Sequence, residues 1–177
     1  LFFVPVMWLA MFFHLQSMTL RTFISSLFGL ICPYWFVAVY LIYTNDITLA
    51  VEHFSQLAVF GKVANFSQVP VSALVSICYV TILSVVGIIH YLRNRVFDKT
   101  RTRMFYNTFI LFDIFTIAFI ILQPQHYATM LIILIVTTSP LIAHFIALTN
   151  TWITNLAFKV IVATALSLTI INILQLI

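Results

Sequence analysis

The chain has 177 residues, 63% of them hydrophobic and 7% charged, with a net charge of +4. Soluble domains carry roughly a quarter of their residues as Asp, Glu, Lys and Arg, and a fold of this size buries only about 70% of its unfolded surface. Water is therefore excluded as the solvent for most of the chain. Nucleic acid is not the partner the charge points to, because five of the eight cations fall between Arg93 and Arg103, where membrane topology accounts for them.

Lipid narrows the choice of secondary structure. Each unsatisfied backbone group costs several kcal/mol in hydrocarbon, so helices and closed barrels are the only spanning solutions. The apolar runs here are long and lack the period-2 alternation of barrel strands. The expected fold is all-α, a polytopic transmembrane bundle of about six helices forming a single domain over residues 1–177. No secretory signal peptide is legible. The chain also starts without a Met, and it is expected to be part of a longer protein.

A span of roughly 30 Å of hydrocarbon takes about 20 helical residues. The first apolar run, residues 1–15, is short for that, and a polar break follows at 16–21. Longer helices are expected at about 22–43, 70–91, 104–122, 128–148 and 152–176. In the connection 44–69, Ile47, Val51, Phe54 and Ala58 recur at helical spacing, with Asp46, Glu52, Gln56 and Lys62 mostly between them. That is the pattern of an amphipathic helix lying in the interface. Residues 65–67 of the same connection match a glycosylation sequon.

The positive-inside rule fixes an orientation. Arg93, Arg95, Lys99, Arg101 and Arg103 place loop 92–103 on the cytoplasmic side of a cell membrane, and counting back puts Arg21 there too. Segments 44–69 and 123–129 and the C-terminus then face the other side. The five cations are expected to contact anionic lipid headgroups, each contributing about 1 kcal/mol.

Ionisable residues inside a membrane are expensive and mark functional sites. Asp113 lies at the midpoint of the fourth helix, nine residues or about 13 Å from its inner end; Lys159 lies seven residues, about 10 Å, into the sixth. The two are expected to pair across the midplane. The alternative is that Lys159 snorkels to the headgroups while a protonated Asp113 bonds Thr116 or a neighbouring helix. His144 and Thr137 share a face of the fifth helix near Pro140, whose missing N–H frees the carbonyl of Val136. Pro140 and Pro33 are both expected to kink their helices, with Thr137 or Ser139 satisfying the freed group. Asp113, Lys159, His144 and Thr137 are the candidate substrate or ion pathway.

Ser25, Gly29 and Pro33, Ser72 with Ser76, and Ser84 with Gly87 make small-residue faces of the kind that let helices approach closely. Cys32 and Cys78 are expected as small core residues. No phosphate loop, HExxH, paired CxxC or nucleophile elbow is present. His14, His53, His90 and His126 are scattered without ligand spacing. No catalytic residue, metal or cofactor is expected.

The segment 18–34, MTLRTFISSLFGLICPY, resembles an R…GL..PY stretch in a family of uncharacterised multi-spanning inner-membrane proteins of Bacteroidota. Arg21, Gly29, Pro33 and Tyr34 carry the resemblance, and SPLIA at 139–143 followed by Trp152 is a looser echo. It covers the C-terminal half of such proteins and implies a bacterial inner membrane, with no activity to carry over. The sequence favours a structural or accessory subunit of a cell-envelope complex, with a protein partner or homo-oligomerisation. The alternatives are a small-molecule transporter or substrate-binding membrane subunit with a midplane site around Asp113 and Lys159, and a lipid-modifying membrane enzyme.

Overall fold

The computed structural model describes residues 3–44, 48–49, 51–52, 55, 66, 69–148 and 151–174. Among these there are six α-helices: α1 (Phe3–Phe13), α2 (Leu20–Tyr43), α3 (Val71–Asn94), α4 (Thr100–Leu122), α5 (Tyr127–Leu148) and α6 (Trp152–Leu174). Short 3₁₀ turns follow α3 at Arg95–Phe97 and precede α5 at Pro124–His126. Five stretches are long and apolar enough to cross a membrane, within α2, α3, α4, α5 and α6. At 11 residues, α1 is too short for roughly 30 Å of hydrocarbon. The protein is an all-α polytopic bundle. The amphipathic segment expected at 46–62 and the sequon at 65–67 lie largely outside the described residues.

The chain forms two compact units, Leu1–Lys62 and Val63–Ile177. In the first, Thr19 caps α2 by accepting from the Thr22 N–H at 3.2 Å, which satisfies one of the free donors of a helix start. Trp8 of α1 donates to Ser26 Oγ of α2 at 3.0 Å and packs its ring 4.8 Å from Phe23. Ser25, Gly29 and Pro33 are exposed on α2.

In the second unit α5 is the central helix. It packs extensively on both α3 and α4, which meet each other far less, and α6 rests mainly on α3 and α5. The small residues of α3 allow this: Ser84 is fully buried, and a Cβ added at Gly87 would sit 2.9 Å from Leu141 Cβ. Dispersion contacts and small interfaces drive helix association where lipid is as apolar as the side chains. α5 runs through Pro140, and Ser139 Oγ donates to the freed Val136 carbonyl at 3.1 Å. Cys32 and Cys78 are free and exposed rather than in the core, because each lies on a helix face that no other described helix of its own unit covers.

The basic stretch is less of a loop than its charge implies. Arg93 ends α3, and Arg101 and Arg103 fall in the first turn of α4. Arg and Lys are good helix formers, and nothing forces a helix to stop where its apolar run does.

Gly87→Ala should lower the stability of the bundle by about 1–3 kcal/mol through overpacking against Leu141. Gly29→Ala, with nothing within 4 Å of its Cβ, should leave it unchanged or slightly raised. Thermal unfolding in mild detergent separates the two.

Candidate functional site

Asp113 is completely buried, with Thr116 one turn further along α4 equally so. Hydrocarbon is a poor solvent for a carboxyl, so its oxygens are satisfied from neighbouring helices. Ser84 of α3 donates to Oδ2 at 2.7 Å, Thr138 of α5 to the same oxygen at 3.1 Å, and Thr137 of α5 to Oδ1. Thr137 Oγ1 also lies 3.0 Å from the Ile133 carbonyl, so its single proton is shared between side chain and backbone. Thr116 turns back on its own helix and donates to the Phe112 carbonyl at 2.7 Å. The carboxyl thus joins α3, α4 and α5 at one level.

Asp113 and Thr137 come together, but Lys159, the expected partner of Asp113, does not join them. It is exposed on α6, two positions and more than half a turn from Ile161, which faces α3. The reason is packing: α6 rests mainly on α3 and α5, whereas Asp113 is on α4 and three hydroxyls already occupy its oxygens.

His144 belongs to a second cluster, nearer the basic end of the helices. Its Nε2 lies 3.1 Å from Asp98 Oδ2, within hydrogen-bond distance. Its ring packs 4.7 Å from Tyr106 and 5.7 Å from both Tyr91 and His90. Tyr91, fully buried, points its hydroxyl at Asn107 Oδ1 (3.0 Å) and the Arg103 carbonyl (3.2 Å) of α4. Asn94 Nδ2 donates to His90 Nε2 at 2.7 Å. The Nδ1 atoms of His90 and His144 are both buried without a partner. Asp98 and His90 carried no signal in the sequence; Asp98 sits amid five cations, and His90 at a helix end.

A cavity of about 510 Å³ opens between α3, α5 and α6. Its wall is mostly aliphatic, including Val80, Leu83, Ile142 and Ile161, with hydroxyls from Tyr79, Thr138 and Ser139. Tyr79 fixes the third wall. Its hydroxyl donates to the Ile161 carbonyl at 2.9 Å and accepts from Thr164 Oγ1 at 2.8 Å. Thr138 lines the cavity and also donates to Asp113, so one side chain connects the buried carboxyl to the open space. No group of three metal-ligating side chains occurs among the described residues. The arrangement is suited to binding rather than to acid–base chemistry, since the carboxyl is enclosed and its oxygens are engaged.

No known protein family, curated sequence or solved structure matches the chain. What the site does is read from its own geometry.

Ser84→Ala and Thr138→Val should each cost about 0.6 kcal/mol, the average for an interhelical hydrogen bond in a membrane. Combined, they should cost more than the sum, because Oδ2 then loses both donors and an unsatisfied buried group costs about 1–3 kcal/mol. For Asp98→Ala and His144→Ala, a double-mutant cycle should show the opposite, with the pair costing little more than either alone. Unfolding midpoints in detergent give both comparisons.

Proposed function

We propose that this integral membrane protein binds a membrane-soluble ligand in the cavity between α3, α5 and α6, as a transporter or the substrate-binding subunit of one. The observation that carries the reading is the dual role of Thr138, which lines a cavity of about 510 Å³ and bonds Asp113. Ligand sites are typically 300–1,000 Å³, mainly apolar, with a few placed polar groups. This cavity has that composition, and a polar residue buried in a membrane span is a functional hypothesis by default. The midplane site is built on Asp113, Ser84, Thr137 and Thr138, without Lys159.

The orientation that goes with this reading puts loop 92–103 on the cytoplasmic side, from its Arg and Lys content. The resemblance of segment 18–34 would make the membrane a bacterial inner one. The accessory-subunit reading draws on α2, whose Ser25, Gly29 and Pro33 leave a small-residue face open, the kind of surface another helix packs on.

Native mass spectrometry of the chain, gently extracted from its membrane, tests the proposal. Wild type should retain an apolar or amphipathic molecule. Ala143→Phe and Ala165→Phe, which fill the cavity from α5 and α6, should lose it, while Ala147→Phe, an exposed α5 residue that does not line the cavity, should not. Wild type that carries no such molecule, or a molecule indifferent to the filled cavity, would overturn the reading in favour of a structural role.

A further inference from the structure

A second opening of about 410 Å³ is lined by Val86, Ile89, His90, Arg93 and Asn94 of α3 and Phe145 of α5. On α3, the lining residues of the two openings run Ser76, Val80, Leu83, Val86, His90, Arg93. The steps are four, three, three, four and three, the spacing of a single helical stripe. On α5, Phe145 falls between Ile142 and Ile146 of the cavity wall. The two openings are therefore neighbours on the α3–α5 seam, following one another along α3 and overlapping in level on α5.

The seam is asymmetric. Its α6 end is aliphatic with isolated hydroxyls, and its other end carries the guanidinium of Arg93, the amide of Asn94 and the imidazole of His90. No carboxylate lines that second opening. Asp98, the acid of the neighbouring turn, is held by His144. Arg95, Lys99 and Arg101 are exposed and do not line the second opening. From Ser76 to Arg93 the stripe covers 17 residues, about 25 Å at 1.5 Å per residue. That is slightly more than half of the roughly 40–45 Å bilayer with its headgroups, the height of one lipid molecule in its leaflet.

We infer that the α3–α5 seam holds one anionic phospholipid, its phosphate against Arg93, Asn94 and His90 and its acyl chain in the cavity behind Tyr79 and Leu83. This rests on the reading of that cavity as a ligand site and specifies the class of ligand. The planar guanidinium binds phosphate oxygens in a two-pronged geometry that lysine does not reproduce. A lipid held this way is bound by shape at one end and by charge at the other, unlike the lipids that merely surround the bundle.

The test uses the full chain in nanodiscs containing phosphatidylglycerol and phosphatidylcholine of equal chain length, followed by detergent stripping and native mass spectrometry. Wild type should keep one phosphatidylglycerol per chain in preference to phosphatidylcholine. Arg93→Gln should lower that preference about fivefold, the effect of one cation beside a membrane, and Arg93→Lys should restore it only in part. Arg101→Gln, an exposed cation outside the seam, should leave it unchanged, and Ala165→Phe should reduce retention of both lipids. Equal losses in Arg93→Gln and Arg101→Gln would overturn the inference, because general surface charge would then account for the preference. If Arg93→Gln has no effect while Ala165→Phe still empties the cavity, the phosphate assignment falls and the ligand site stands. If wild type keeps neither lipid, the phospholipid assignment falls, and the Ala143→Phe comparison on native-membrane material decides the cavity separately.

Discussion

A carboxyl in hydrocarbon must find its hydrogen-bond partners within the protein, and in this bundle Asp113 finds them on two other helices. Ser84 comes from α3 and Thr137 and Thr138 from α5, so the demand of one side chain fixes the rotation and depth of three helices relative to one another. Apolar packing alone would not do this, since one aliphatic face is much like another and lipid competes equally for each. The small residues then set how near the helices come. Gly87 brings α3 onto Leu141 of α5, and Ser84 is small enough to let its hydroxyl reach α4 without holding the helices apart.

The same constraint shapes the end of the bundle nearest the basic turn. Tyr91 directs its hydroxyl to α4, and His144 of α5 reaches Asp98 in the turn before it. These contacts are polar and local, so they tie the turn to the ends of the helices. With the partners of Asp113 and Asp98 committed, and the protons of Tyr79, Thr138 and Ser139 donated within the protein, the polar groups left facing the openings are few: the oxygens of those hydroxyls, and the guanidinium of Arg93 with the amide of Asn94 and the imidazole of His90. α6 contributes a wall rather than a core. No described side chain on it is buried, and its polar link to α3 is the two-way hydrogen bond of the Tyr79 hydroxyl.

Asp113 also separates two kinds of buried charge. An ion pair with Lys159 would have placed two full charges in low dielectric, where desolvation tends to offset the mutual attraction. Hydroxyls cost far less to bury than an ammonium and supply the same hydrogen bonds. Lys159 stands on the exposed side of α6, away from the hydroxyls that engage Asp113.

Class, helix number, approximate boundaries and the placing of Asp113 within an apolar helix were all legible in the sequence, because each depends on local composition: hydropathy over about 20 residues, the shortness of residues 1–15, and one acid in an apolar run. The small faces at Ser84 and Gly87 were legible for the same reason, as was the need of the Val136 carbonyl for a hydroxyl after Pro140. What occupies the oxygens of Asp113 was not. Depth along the membrane can be counted from sequence, and it made Lys159 a credible partner, but the rotation of α6 and its choice of neighbours cannot be counted. Asp98 with His144, and the alignment of His90 and Arg93 with the cavity, were hidden likewise. They are relations between helices, fixed by which faces interlock and by where each polar group can be satisfied, and only the packed tertiary structure decides those.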